Sequence, residues 1–217
     1  MRLVIGNKNY STWSLRPWLL LDAFNLAFEE QWVSLNSNGL SNRLSEFSAT
    51  ARVPVLQDEG VTVWDSLAIC EYLNDNYLDG QAWPSDKHDK ALARAVCAEM
   101  HAGLTSMRNE MPMNIRASRV VQLSDQAKLD LARVDAIWSD YAKPDARGDL
   151  RLFGTFSIAD CFFAPVVMRC DCYQPQLSSA AQAYADSMRQ HPSLTKWVAD
   201  AKLETDIVAE DEAGVER

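Results

Sequence analysis

The sequence predicts an α/β domain of about 80 residues followed by a domain built of helices alone, and three observations carry that expectation. Short β-type runs alternate with helical patterns as far as Leu78. The stretch from Asp79 to Asp86 (DGQAWPSD) then breaks the periodicity with Gly80 and Pro84. Beyond it only helical spacing remains. The division expected is therefore residues 1–78 for the first domain, 79–86 for the linker and 87–217 for the second.

In chain order, Arg2 to Gly6 (RLVIG) is an apolar run suited to a buried strand. A helix follows with Leu15, Trp18, Leu19, Leu21 and Phe24 among its apolar positions. Pro17 belongs in a first turn, where its missing N–H would go unused, so Trp13 or Ser14 is the expected N-cap and Ser11 and Thr12 fall in the preceding loop. Phe28 to Leu35 is a second strand, completing a βαβ unit with a right-handed crossover. Asn36 to Asn42 reads as a polar loop, and Arg43 to Phe47 as at most a short helix.

Ala51 to Tyr77 reads as a strand, a tight turn at Asp58-Glu59-Gly60, a second strand and directly a helix that opens at Asp65-Ser66. In the second domain, long amphipathic helices are expected from Lys87 to about Asn109 and from Ser124 to about Tyr141. Ser157 and Asp160 form a capping box leading the apolar CFFAPVVM run, and HPSLTKW sits within the last helices. Val208 to Arg217 reads as a frayed acidic end.

Composition narrows the function. With 47% hydrophobic and 24% charged residues the chain is an ordinary soluble protein, and a net charge of −9 argues against nucleic acid as a partner. Five cysteines, an odd number at low density, point to a reducing cytoplasm. The start MRLVIGN lacks a signal-peptide core and no apolar run approaches membrane-spanning length, so no membrane association is expected. His88, His101 and His191 have no metal-ligand spacing, and Cys170 and Cys172 lack a second pair, so no metal is expected. Neither a G-x-S-x-G elbow nor a Gly-rich phosphate loop is present.

The hairpin region carries the chemistry. Pro54 follows Val53 at the mouth of a strand, as an edge position or a cis bond allows, and leaves the Val53 N–H and C=O free to pair with an extended peptide. Ser66, at a helix N-terminus, offers a hydroxyl, free N–H groups and a favourable dipole to a carboxylate. Together the two sites would grip a small acidic peptide.

SATARVPVL (48–56) and DSLAICEYL (65–73) resemble the thioredoxin-like N-terminal domain of the glutathione transferases, and the helical half is similar to that family's C-terminal domain. The resemblance implies glutathione as co-substrate, bound by Val53, Asp65 and Ser66, with Asp65 standing where the family usually carries Glu or Gln. It also implies a homodimer and a small hydrophobic electrophile. NYSTWS resembles the Ser-type members such as the zeta class, with Ser11 on the first serine of their Ser-Ser-Cys motif, Thr12 on the second and Trp13 on the cysteine. Ser11 is therefore the expected thiolate donor, with Tyr10, Thr12 and Ser14 as alternatives. Such a donor is needed because a thiol near ~8.5 is only a few per cent thiolate at neutral pH. Arg52 reads as a solvated surface arginine that could also reach the glycyl carboxylate, and Met100, Met107, Met111 and Met113 read as core that could also line the electrophile pocket. The expected activity is glutathione transfer. A glutathione-dependent cis–trans isomerase resembling maleylacetoacetate isomerase, or a non-catalytic relative that only binds, stand as alternatives.

Overall fold

A computed structural model describes residues 1–36 and 39–217, so positions 37 and 38 of the expected polar loop lie outside the described residues. The N-terminal region runs β1 (Arg2–Ile5), α1 (Thr12–Ala23), β2 (Glu29–Trp32), α2 (Leu40–Ser45), β3 (Val55–Asp58), β4 (Val61–Trp64) and α3 (Ser66–Tyr77). Its sheet has the order β2-β1-β3-β4, with β1 parallel to β2 and the other two pairings antiparallel. Side chains of β1 alternate between faces: Leu3 and Ile5 join the main core, while Val4 packs with Val33, Leu44 and Val55 in a small second cluster. The β3–β4 turn places Glu59 (φ 45°) and Gly60 (φ 84°) in the left-handed region, as a two-residue primed hairpin turn requires.

The region beyond is mostly helical: α4 (Lys87–Ala102), α5 (Thr105–Glu110), β5 (Arg119–Val120), α6 (Asp125–Tyr141), β6 (Ala142–Pro144), β7 (Leu150–Leu152), α7 (Ile158–Tyr173), α8 (Ser179–Arg189), α9 (Pro192–Leu203) and β8 (Val215–Glu216). Helix α7 is buried along its length and packs against α1, so a single main core runs from Leu3 and Trp18 through Phe162 and Trp138 to Trp197. No helix among the described residues is long and apolar enough to cross a membrane.

Four expectations are corrected. Helix α1 begins a turn earlier than Pro17 suggests: Ser11 is its N-cap and Pro17 lies inside it. The cap hydrogen bond from Ser14 N–H to Ser11 Oγ, with Ser11 C=O accepting Leu15 N–H, secures the first turn ahead of the proline. The expected helix from Lys87 to Asn109 is two, because the chain turns at Gly103 and at Leu104 (φ 54°). A Cβ at Gly103 would stand 2.8 Å from Glu99 O, so glycine marks the break. The helical half also contains the short β6–β7 and β5–β8 pairs.

Fourth, the C-terminal end is bound rather than frayed. Glu204 takes the backbone N–H groups of Lys8 (2.7 Å) and Asn9 (3.0 Å), and Arg116 grips the carbonyls of Glu204 and Asp206. Further on, Glu212 meets Tyr10, Asn114 and Arg119 before β8 pairs with β5. The acidic residues that suggested a solvated tail are partners for cations and N–H groups brought from far along the chain.

The capping box at α7 is present as expected, and its Asp160 is fully buried. Asp160 accepts from Ser157 N (3.0 Å), Leu152 N (2.9 Å) and Tyr184 O–H (3.1 Å). Asp160→Asn turns one acceptor into a donor among donors and is expected to cost about 2–4 kcal/mol of stability, read from denaturant unfolding. A cost below about 0.5 kcal/mol would show that this network does not hold the core helix.

Candidate functional site

The loop from β1 into α1 folds back on itself, with Asn7 C=O accepting Tyr10 N–H (3.2 Å) and Ser11 N–H (2.8 Å). Ser11 Oγ donates to Ser14 Oγ (2.7 Å), which in turn accepts Gly6 N–H (3.1 Å). The four candidate hydroxyls are thereby sorted. Ser14 is wholly buried beneath Ser11, and Tyr10 O–H donates to Glu212 (2.5 Å) while accepting from Arg116 (3.1 Å). Ser11 and Thr12 border a cleft of ≈ 280 Å³ together with Tyr10, Arg108, Met113, Arg169 and Asp211.

A larger adjoining cleft of ≈ 580 Å³ gathers Val53, Asp65 and Ser66, with Thr50, Arg52 and Trp64. Trp13 and Val53 border both clefts. The Val53–Pro54 bond is cis, and among the described residues no hydrogen bond engages the Val53 N–H or C=O. Asp65, rather than the Ser66 hydroxyl, caps α3: its Oδ1 accepts Leu67 N–H (2.8 Å) and Ala68 N–H (3.3 Å). It does so from a left-handed backbone (φ 73°, ψ 131°), a conformation that costs an L-residue of order 1–3 kcal/mol and persists where the surroundings impose it.

Those surroundings include residues that sequence reasoning passed over. His101 on α4 places Nε2 3.1 Å from Asp65 Oδ2. Arg16, only 1% exposed, directs Nη1 at Ser66 Oγ (3.3 Å) and lies 3.5 Å from His101 Nδ1. Its guanidinium stacks on Trp13 (4.2 Å to the ring centre) and Phe162 (4.6 Å), while Arg108 stacks on the same indole (4.9 Å). Burial, helped by the charges of Arg108 and Arg169, pulls Arg16 down to about 9, which leaves it charged at neutral pH. Arg169, buried on α7, donates to the carbonyls of Arg108 (2.6 Å) and Met111.

Arg108 and Arg169 thus border the smaller cleft while Arg16 lies buried against Ser66 of the larger one, and among the described residues none of the three forms an ion pair within 4.0 Å. Asp211, bordering the smaller cleft, is pushed up to about 6 by burial against the pull of Arg169. Arg16 and Arg169 each interrupt an apolar stretch (LRPWLLL and VVMRC), and a lone arginine inside an apolar helix is the signal that could have marked them. The four methionines are buried core, and Met113 alone of them reaches the Ser11 cleft.

Residues 10–76 match the family model described as glutathione S-transferase, N-terminal domain. A probable maleylacetoacetate isomerase of Caenorhabditis elegans is 32% identical over 104 residues, an alignment spanning 46% of this chain and about half (49%) of that relative. A glutathione transferase homologue from Burkholderia, solved with bound glutathione, superposes with TM-score 0.71 at 24% identity over 93% of this chain and 97% of its own. A bacterial maleyl pyruvate isomerase described as a zeta-class glutathione S-transferase gives 0.68 at 18% identity, over 95% of this chain and 100% of its own. The chain thus carries a glutathione S-transferase N-terminal domain and has the glutathione S-transferase fold.

At Asp65 the cap and the backbone strain pull in opposite directions under substitution. Asp65→Ala loses the cap and keeps the strain, for an expected loss of about 1–2 kcal/mol. Asp65→Gly loses the cap but relaxes the backbone, so it is expected to be the more stable of the two by about 0.5–1 kcal/mol. Thermal unfolding of both variants checks the order, and the reverse order would show that φ at Asp65 is not strained.

Proposed function

We propose that this chain, built on the glutathione S-transferase fold, binds glutathione in the larger cleft and activates its thiol at Ser11. The observation that carries the reading is the adjacency of the two clefts across Trp13 and Val53. A peptide lying along the unpaired Val53 backbone, with its γ-glutamyl end at Asp65 and Ser66, would bring its cysteine towards the start of α1. There the Ser11 hydroxyl and the α1 N-terminus favour the thiolate. Lowering the thiol pKa by about two units takes ~2.7 kcal/mol of preferential stabilisation. The Ser11 hydrogen exchanges Ser14 Oγ for the sulfur by rotation about one bond.

The division of labour follows the same geometry. We place the glutathione-binding, thioredoxin-like domain at residues 1–78, the linker at 79–86 and the electrophile-binding helical domain at 87–217. The smaller cleft takes residues from both sides of that linker, with α5, α7 and the C-terminal segment facing Ser11. Five free, buried cysteines are in keeping with a reducing cytoplasm. Exposed Trp64 and Val61 on edge strand β4 are in keeping with a homodimer.

The expected electrophile was small and apolar, yet Arg108 and Arg169 border the cleft it would enter. This favours the isomerase as a second reading, with a substrate that carries a carboxylate for the arginines and a ketone conjugated to its double bond to take the electron pair. Thiolate adds to one alkene carbon, the electron pair moves into an enolate, the former double bond rotates, and expulsion of the thiolate restores the alkene in the other geometry. Glutathione is not consumed. The names of the Caenorhabditis elegans and bacterial relatives support the same choice.

Two measurements test these readings. Ultraviolet titration of bound glutathione is expected to give a thiol pKa about two units below the free value, reverting in Ser11→Ala with a fall in kcat of about a hundredfold and little change in glutathione affinity. An unshifted pKa in the wild type would reduce the chain to a binding protein. Arg108→Gln is expected to raise KM about tenfold for a carboxylate-bearing alkene while leaving a neutral aryl halide unaffected. Equal effects on both would return the electrophile to the apolar class.

A further inference from the structure

Arg16 is a buried guanidinium with no ion-pair partner among the described residues, and its Nε makes no hydrogen bond. A charge so placed is costly to bury unless something anionic completes its surroundings. Its one hydroxyl contact is Ser66, and because a guanidinium only donates, the Ser66 oxygen is the acceptor. Ser66 is itself fully buried at the edge of the larger cleft, and its hydroxyl hydrogen is left for an acceptor other than Arg16. The same rule sets the tautomer of His101: Nδ1, facing Arg16, carries the lone pair, and Nε2–H donates to Asp65.

We infer that Arg16 and His101 are positioning residues for the γ-glutamyl end of glutathione, an inference that rests on the glutathione reading above. Arg16 orients Ser66 as a donor to the γ-glutamyl carboxylate and sets a positive charge behind it. Neutral His101 ties Arg16 to Asp65 and holds that carboxylate for the adjacent ammonium. Neither residue touches the sulfur. The relay joins α1, α3 and α4, so the N-terminal binding cleft is completed by a side chain from the helical half.

Protonating His101 breaks the relay, since Nδ1–H would then face the Arg16 guanidinium. The charged groups facing His101 are Asp65 at the start of α3, Arg16 on α1 and Arg108 on α5, and the rings of Trp13 and Phe162 cover it. Burial, with Arg16 and Arg108, holds the imidazole below its ordinary value against the pull of Asp65. Glutathione itself carries no group that titrates between about pH 5 and about pH 7. Affinity is therefore expected to weaken as pH falls below the ordinary imidazole value, because His101 takes up a proton in the free protein that the bound state excludes.

Calorimetry with glutathione and with 4-aminobutanoyl-Cys-Gly, which lacks the γ-glutamyl carboxylate, tests the assignment. Wild type is expected to prefer glutathione by about tenfold or more, and Arg16→Met to lose most of that preference while binding the analogue as before. His101→Gln, whose amide can accept from Arg16 and donate to Asp65, is expected to bind glutathione normally near pH 7 and to lose the weakening at low pH. Equal loss of both ligands in Arg16→Met, or a wild-type affinity flat across this range, overturns the inference. Should Arg16→Met fail to fold, the wild-type pH series and His101→Gln decide alone. Absence of glutathione binding to the wild type would instead sink the functional reading, and this inference with it.

Discussion

Helix α1 is buried on nearly every face, and a helix so placed must satisfy the N–H groups of its first turn without water. That constraint shapes the whole N-terminal half of the site. Ser11 Oγ takes one N–H and Ser11 C=O another, while Ser14 Oγ reaches back to Gly6. The loop before them hangs on Glu204, whose two carboxylate oxygens serve Lys8 and Asn9 from the other end of the chain. Lys8 closes the arrangement, its ammonium between Glu30 (2.8 Å) and Asp200 (2.7 Å) and above the rings of Trp18 and Trp197. The hydroxyl that ends up beside the cleft is thus one the fold already requires, held by contacts that span nearly the full sequence.

Electrostatics give the cleft its character. Arg108 and Arg169 border it and Arg16 lies buried close by; among the described residues none forms an ion pair within 4.0 Å, and their charges are met by backbone carbonyls, aromatic faces and one hydroxyl. Carbonyls and rings compensate a guanidinium only in part, and Asp211 at the smaller cleft offsets Arg169 further. The chain as a whole carries a net charge of −9, and this local positive field is concentrated against that background by burial. Trp13 is central to it, because its indole separates the two clefts while lying between Arg16 and Arg108.

Asp65 shows how one side chain can serve local and tertiary structure at once. One oxygen caps α3 and the other accepts from His101, which fixes the carboxylate at both ends. Rigidity of this kind fixes a carboxylate at the larger cleft at the expense of a strained backbone, and the strain is held by the same contacts that orient it.

The order of strands and helices in the N-terminal region, the hairpin turn, the α7 capping box and the convergence of Val53, Asp65 and Ser66 on one cleft were legible in the sequence, because each depends on residues close together in the chain. Val53 and Ser66 flank the β3–β4 hairpin, whose pairing brings their segments to one cleft. The start of α1 was misplaced because proline statistics describe a helix in isolation, whereas here a serine cap and burial on all sides override them. Arg16, His101, Arg108, Arg169 and the bound C-terminal segment became visible only in the tertiary structure. Their roles depend on which cation, anion or ring stands opposite, and those partners lie as much as about two hundred residues away in the chain. Sequence by itself determined most of the elements and one local cluster around the hairpin; packing decided which charges are buried together, because Coulomb interactions act over distance in space and carry no periodicity along the chain.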